Sequence, residues 1–405
     1  MIIHLATDEK FIDIAISLFL EVDLDEHLFI IDHPASLPIT HVKNHGIQRR
    51  DLSDERDFSD VVRMINEASA TVFHGFFSIS FQKLVQTVSA KAILHWNSWG
   101  GDAYFGPGMD EWIYQTETLA WLKKKRSLAH NFSDLLYRYF PVFFSHTYRF
   151  LKGKSFYYTK AKALRQRFNS FSTILPQEEK IYRQYWGLKT PCLPFSYGSI
   201  AQYIPDNLKD RRVIGSDILI GNSATPTNNH IEALTGLNTV GILDFGNSIK
   251  INLPLNYGDT QYAQEISTHA EKFFEGKVRI LSDFMPRDVY HDQILYQSRH
   301  VIMNHHRQQA VGNCLVSLWA GANLYLNDRS VLASFLKDLG VFFFCVEKDL
   351  QKFQGLGLSL EQVEENRDKL NRYYSHSIVL ERTYKLTRGL LSNHRNVLDQ
   401  AVEES

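Results

Sequence analysis

Cysteine is scarce in this sequence. There are three in 405 residues, Cys192, Cys314 and Cys345, and no CxxC pair. That excludes a disulfide scaffold and a zinc knuckle, and points to a reducing compartment. No HExxH motif occurs, and the adjacent His305 and His306 would point to opposite faces of a strand, so no metal is expected. Without a GxSxG elbow or a Cys nucleophile motif, covalent acyl chemistry has no support. No run reaches the ~18–20 apolar residues that span a bilayer. The opening stretch lacks a basic leader region and is interrupted by Asp8, Glu9 and Asp13, so it reads as something other than a signal peptide. Net charge is also nearly absent, 44 Lys and Arg against 45 Asp and Glu. A uniformly basic nucleic-acid binder is therefore not expected, nor an acidic disordered tail.

The near-zero total conceals a strong asymmetry. Residues 118–172 hold twelve Lys or Arg and one acid, Asp134, a local charge of +11 that leaves −12 on the rest. Aromatic residues run through the same stretch, among them Trp121, Phe140, Phe143, Phe150, Phe156 and Phe171. Cations and rings interleaved on helices suit an anionic bilayer surface. A helical hairpin with a solvated basic face accounts for the same composition, and single-stranded nucleic acid is a third, weaker reading.

At 405 residues and 44% hydrophobic content the chain exceeds one ordinary core and predicts two domains. Short apolar runs at 1–6, 27–31, 71–73 and 92–95 alternate with helical patterns at 10–20, 57–68 and 80–88. The rhythm breaks over 110–175, which reads as a long helical excursion, and the NLKDRR segment near 205–212 reads as a linker. It resumes with strands at 217–220, 249–253, 278–281, 301–304, 323–326 and 341–345, and closes with helices from about 358. The predicted organisation is an N-terminal α/β domain over 1–205 carrying the 118–172 insertion, a second over 206–357, and C-terminal helices over 358–405 that pack back on the first. Ligands of such sheets bind beyond the carboxyl ends of the strands, here in a cleft between the domains.

Four loops leave those strand ends. In ILIGNSATPTNNHIEAL an apolar strand ends at Gly221, followed by Asn222 and the small Ser223 and Ala224; the free N–H groups of the next helix favour phosphate. An ordinary strand-to-helix turn reads the same way, because the glycines are too few for a dinucleotide or P-loop fingerprint. In PLNYGD, Asn256 and Tyr257 are within reach of a base, ribose or sugar. In HHRQQAVGN, Arg307 can grip a diphosphate, with Gln308 beside it and Gly312 and Asn313 keeping the helix start open. In WNSWGGDAYFG, Trp96 and Trp99 offer flat faces to a sugar or lipid-linked acceptor, with Gly100 and Tyr104 alongside. Asp102 is a candidate general base, as is His74 at a neighbouring strand end; a structural hydrogen-bonding role fits both equally.

These blocks, HG at 74–75, WNSWGGDAY at 96–104, ILIGNS and NNHIEAL within 218–234, LPLNY at 253–257 and RQQAVGN at 307–313, resemble the bacterial TDP-N-acetylfucosamine:lipid II N-acetylfucosaminyltransferase family, which builds enterobacterial common antigen. The resemblance implies an α/β GT-B fold of two Rossmann-like domains and a central cleft. It implies a dTDP- or UDP-activated deoxyamino sugar as donor and a polyprenyl-diphosphate-linked saccharide as acceptor, with no cofactor and no metal. The donor falls on Gly221, Asn222, Ser223, Asn256, Tyr257, Arg307, Gln308 and Asn313. The acceptor falls on Trp96, Trp99, Gly100 and Tyr104, and the catalytic roles on Asp102, His74 and Arg307. The expected setting is peripheral, on the cytoplasmic face of the bacterial inner membrane. A nucleotide-sugar epimerase of the same shape and a non-catalytic membrane- or polyanion-binding protein are the readings kept beside it.

Overall fold

Each apolar run contains a parallel strand, buried in most cases and only partly so at 278–281 and 344–345. The computed structural model describes residues 1–23, 25–152, 157–241, 249–355 and 357–403. The chain divides into two compact units: Met1–Phe105 with Val142–Ser199 and Tyr374–Ser405, and Gly106–Pro141 with Ile200–Tyr373. Phe156 of the aromatic stretch lies outside the described residues.

The first unit holds β1 (Ile2–Thr7), β2 (His27–Asp32), β3 (Ile47–Arg50), β4 (Ala70–His74), β5 (Leu94–Asn97) and β6 (Ser170–Ser172), in the order β3-β2-β1-β4-β5-β6 with every pair parallel. The two-residue pleat sends Ile2, Ala6, Phe29, Ile31 and Val72 to one face. There they pack with Ile12, Ile16 and Phe19 of helix Ile12–Val22 and with Leu386 and Leu390 of helix His376–Glu403. Phe73 points to the other face, against Phe81 and Phe168.

The second unit holds β7 (Asp217–Ile220), β8 (Ile251–Pro254), β9 (Val278–Leu281), β10 (Ser298–Met303), β11 (Asn323–Leu326) and β12 (Phe344–Cys345), in the order β12-β11-β10-β7-β8-β9, again all parallel. Counted from its own first strand, this is the same doubly wound order as the first sheet. Each sheet therefore has a switch point, between β1 and β4 and between β7 and β10, where loops part and leave room for a ligand.

Two strands were not expected. β3 reads IQRR, four partly buried residues without an apolar run, and forms the sheet edge. β6 reads SFS and sits at the end of the basic stretch. That stretch is divided: 118–141 falls in the second unit and 142–172 in the first. Helix Thr116–Lys125 packs Trp121 into the second unit's core beside Tyr262, their ring centroids 5.0 Å apart. Burying an aromatic of that size stabilises by roughly 2–3 kcal/mol. Among the described residues no helix is long and apolar enough to cross a membrane.

Candidate functional site

In the second unit, the loops after β7, β8 and β10 are laced together at the carboxyl edge of three neighbouring strands. The Ala224 amide donates to the Tyr257 carbonyl (2.8 Å) and the Asp259 amide to the Ala224 carbonyl (2.9 Å), tying the β7 loop to the β8 loop through main chain. Side chains extend the network. Asn222 Nδ2 donates to Tyr257 Oη (2.9 Å), and Gln309 Nε2 donates to Asn222 Oδ1 (2.7 Å). Thr227 Oγ1 donates to Gln309 Oε1 (2.6 Å), while the Arg307 guanidinium reaches Thr227 Oγ1 (3.4 Å) and the Gln308 carbonyl (2.8 Å). Gly221, Asn222, Ser223, Tyr257, Arg307 and Gln308 thus belong to one loop cluster. Asn256 is half-buried next to Tyr257, a residue that is 51% exposed. Asn313 is in the first turn of helix Val311–Ala320.

Two features shape this cluster for an anion. Gly221 adopts φ +67°, and a Cβ there would lie 2.3 Å from Nε2 of the buried His230, so only glycine fits the turn. Helix Val311–Ala320 starts from Ala310, itself left-handed at φ 51°, with no side-chain cap on its first N–H groups. Uncapped helix-start amides next to a guanidinium attract phosphate oxygens. Burial pushes His230 and His305 down to about 3, so both are neutral at pH 7 and leave Arg307 as the cation of the cluster.

In the first unit, the β5 loop is built around Asp102. Its Oδ2 accepts from Trp96 Nε1 (2.6 Å) and the Phe76 amide (2.7 Å), and its Oδ1 from the Trp99 amide (2.8 Å) and Ser98 Oγ (3.2 Å). Four donors on one buried carboxylate fix the turn and join the β4 loop to the β5 loop. Arg165 lies behind it in a box of Trp186, Trp96, Phe105 and Phe76, 4.1–5.3 Å from the ring centroids, and donates to the Asp102 and Phe76 carbonyls. Burial lowers Arg165 to about 10, still charged at neutral pH. Trp96 is wholly buried, stacked on Tyr182 at 5.5 Å; Tyr104 is buried with its hydroxyl on Glu178 Oε1 (2.7 Å). Gly100 is a buried turn residue. Of the expected acceptor residues, Trp99 alone is only partly buried. His74 is buried, with Nδ1 on Tyr197 Oη and Nε2 on His4 Nδ1, both at 3.0 Å. Both expected bases therefore have their polar atoms engaged inside the unit.

Sequence reasoning missed the polar clamp that holds residues 112–118 to the second unit. Asn229 Oδ1 accepts from the Gln115 amide (2.9 Å), and its Nδ2 donates to the Ile113 and Asn304 carbonyls. His306 Nδ1 meets the Trp112 carbonyl (2.7 Å), and Glu232 caps helix Thr116–Lys125 through the Glu117 and Thr118 amides (both 2.9 Å) and the Thr118 hydroxyl (2.6 Å). The one signal available was position: each clamp residue lies within two residues of a marked donor block or inside it.

Solved structures share this double-sheet architecture. A UDP-forming α,α-trehalose-phosphate synthase from Burkholderia vietnamiensis aligns over 97% of this chain and 100% of its own, with 8% identity and TM-score 0.59. Sucrose-phosphate synthase from Thermosynechococcus elongatus aligns over 97% and 99%, with 10% identity and TM-score 0.57. The N-terminal domain of Candida albicans trehalose-6-phosphate phosphatase aligns over 97% and 99%, with 11% identity and TM-score 0.59. No curated protein matches the chain. The fold is GT-B, two Rossmann-like domains, as the sequence led us to expect. Residues 197–370 match the family of 4-alpha-L-fucosyltransferases, glycosyltransferase group 56. The expected family is borne out over that stretch, which contains the ILIGNS, NNHIEAL, LPLNY and RQQAVGN blocks. That match supports a glycosyltransferase over the non-catalytic reading.

Proposed function

We propose that this enzyme moves a deoxyamino sugar of the N-acetylfucosamine kind from a dTDP- or UDP-linked donor to a polyprenyl-diphosphate-linked saccharide during bacterial surface-polysaccharide synthesis. The observation that carries it is the cluster of Asn222, Tyr257, Arg307 and Gln309 beside an uncapped helix start, within the stretch that matches the fucosyltransferase family. In the reaction the acceptor oxygen bonds to the anomeric carbon, the bond from that carbon to the diphosphate breaks, and the acceptor proton leaves. Arg307 and the helix-start amides offset the charge developing on the departing diphosphate. Tyr257, Asn256 and Asn222 orient the nucleoside, with Gly221 and Ser223 allowing its close approach. Gln308 and Asn313 complete the wall. Asp102 and His74 act as organisers of the acceptor loop rather than as the base, since their polar atoms are already engaged.

A thermal-shift screen against dTDP, UDP and their sugars tests the donor assignment. One nucleotide at a hundredfold excess over its Kd adds about 2.7 kcal/mol of stability, and Arg307→Ala removes most of that shift. A shift of equal size in the variant would refute the diphosphate role of Arg307.

The setting we propose is the cytoplasmic face of the inner membrane. The support is two helices that carry exposed apolar residues. On helix Leu128–Tyr139 the spacing of Phe132, Leu135 and Tyr139 puts them on one exposed stripe. On helix Pro141–Lys152, Phe143 is 74% and Phe150 89% exposed, beside exposed Arg149 and Lys152. Lys123, Lys124 and Lys125 are exposed just upstream. Rings that enter the interface and cations that meet headgroups are the elements of a peripheral anchor. Co-sedimentation with phosphatidylglycerol vesicles is expected, weakened by salt and lost in a Phe143→Ser/Phe150→Ser double variant. Equal binding to neutral vesicles, or undiminished binding by the variant, would count against it.

A further inference from the structure

The first unit contains a line of buried polar side chains that the transfer chemistry leaves unexplained. The pleat places His27, His4 and His74 on the same face of three adjacent strands, β2, β1 and β4. His27 pairs in register with Ile2, two residues before His4, and Val72 pairs with His4, two residues before His74. The three imidazoles therefore run diagonally across the sheet. His4 Nε2 meets His27 Nδ1 at 2.9 Å, and His74 Nε2 meets His4 Nδ1 at 3.0 Å. His74 Nδ1 meets Tyr197 Oη at 3.0 Å, and Trp99 Nε1 donates to the same oxygen at 2.6 Å. Five of the six ring nitrogens face a partner in the line rather than a shared point, and no metal-holding group of three occurs among the described residues.

An indole N–H can only donate, so Tyr197 Oη accepts from Trp99, and the line takes one direction when Tyr197 gives its own proton to His74 Nδ1. His74, neutral because burial holds it down to about 3, then has its single N–H on Nε2 and donates to His4. His4, also depressed by burial, then carries its proton on Nε2 and donates to His27. His27, lowered to about 4, carries its own on Nε2, which is buried and has no partner. A row of apolar side chains would fill this layer without leaving a bare donor at its end, so packing alone does not explain it.

The end that leads out is Trp99. Its indole is half-buried, wedged edge-on against Phe11 (centroids 4.6 Å apart, 83°) and beside the exposed Phe77 (5.4 Å). Beneath it Gly75 adopts φ +79°, and any Cβ there would come within 2.9 Å of the ring. We propose that Trp99, Tyr197, His74, His4 and His27 form one directional hydrogen-bond row, and that its task is to hold the Trp99 indole as the stacking platform for the acceptor sugar. Tyr197, His74, His4 and His27 are then positioning residues acting through Trp99. The platform rests on the acceptor reading given above; the direction of the row does not.

Two measurements on the full chain separate these parts. Long-range nitrogen–proton NMR of the wild type should find His4, His27 and His74 all as Nε2–H tautomers; an Nδ1–H form at any of them overturns the row. Trp99→Phe removes the N–H that sets the direction, and should give mixed tautomers as far away as His27, which a packing role would leave unchanged. Unaltered tautomers in that variant overturn the proposal equally. With a short-chain polyprenyl-diphosphate disaccharide as acceptor, Tyr197→Phe should raise acceptor KM about tenfold and leave donor KM unchanged. A folded Tyr197→Phe enzyme with unchanged acceptor KM overturns the platform; should that variant not fold, Trp99→Phe is read in the same assay for the same rise. Expected tautomers together with no transfer to this acceptor by the wild type would fault the acceptor reading and leave the row standing.

Discussion

Asp102 shows how one side chain can be mistaken for another kind of participant. A lone carboxylate in a Trp- and Gly-rich loop at a strand end has the sequence surroundings of a general base. In the folded chain it accepts four hydrogen bonds, three from residues 96–99 just before it and one from the β4 loop. Asp102→Asn replaces one acceptor oxygen by a donor facing other donors and leaves Arg165 with a weaker electrostatic partner. The expected loss is roughly 3 kcal/mol of stability, seen as a lower unfolding midpoint in urea. Activity should fall with it, and a variant of full stability but no activity would restore the base assignment. Glu178 makes a related point. Burial raises its carboxyl to about 7, yet the sequence EEKIYRQYW gives no hint that its first residue is buried while the next is not.

Helices and strands were legible in proportion to how far local pattern decided them. β7, β9 and β11 fall where their apolar runs predict, and helices such as Thr260–Phe273 come within a residue of the reading. β3 and β6 were not legible because neither has its own hydrophobic signal; both are edge strands recruited by the neighbour they pair with. The donor-loop cluster was visible because its residues are close in sequence to strand ends. The histidine row was not, because Tyr197 is 123 residues from its partner His74. The clamp on residues 112–118 was hidden for the same reason: Glu232 looks like an ordinary first-turn acid of helix His230–Thr239, yet it caps a different helix. Glu232→Ala should cost about 1–2 kcal/mol. Hydrogen exchange should quicken at the first amides of helix Thr116–Lys125 while the strands of the second sheet keep their protection. Unchanged exchange there would remove the capping role.

For the whole molecule the buried histidines set an acid limit. His74 and His95 in the first unit are depressed to about 3 and 4, and His230 and His305 in the second to about 3, in every case chiefly by burial. Their ordinary value is 6.5, so the unfolded chain takes up protons first as pH falls. The stability that neutral burial contributes is complete above about pH 6.5 and is lost progressively towards pH 4. Several groups titrate together, so stability should fall by more than about 1.4 kcal/mol per pH unit in that window, the slope of a single proton. Calorimetric melting from pH 7.5 to 4.5 reads it directly, and a midpoint constant down to pH 5 would contradict it.

The division of the chain has a consequence during synthesis. Residues 106–141 leave the ribosome long before residues 200–373, with which they form the second unit. At about 5–20 residues per second, the wait is on the order of ten seconds or more. Over that interval Trp121, which fills the core of the finished second unit, has no sheet to pack on, and a chaperone is expected to cover it.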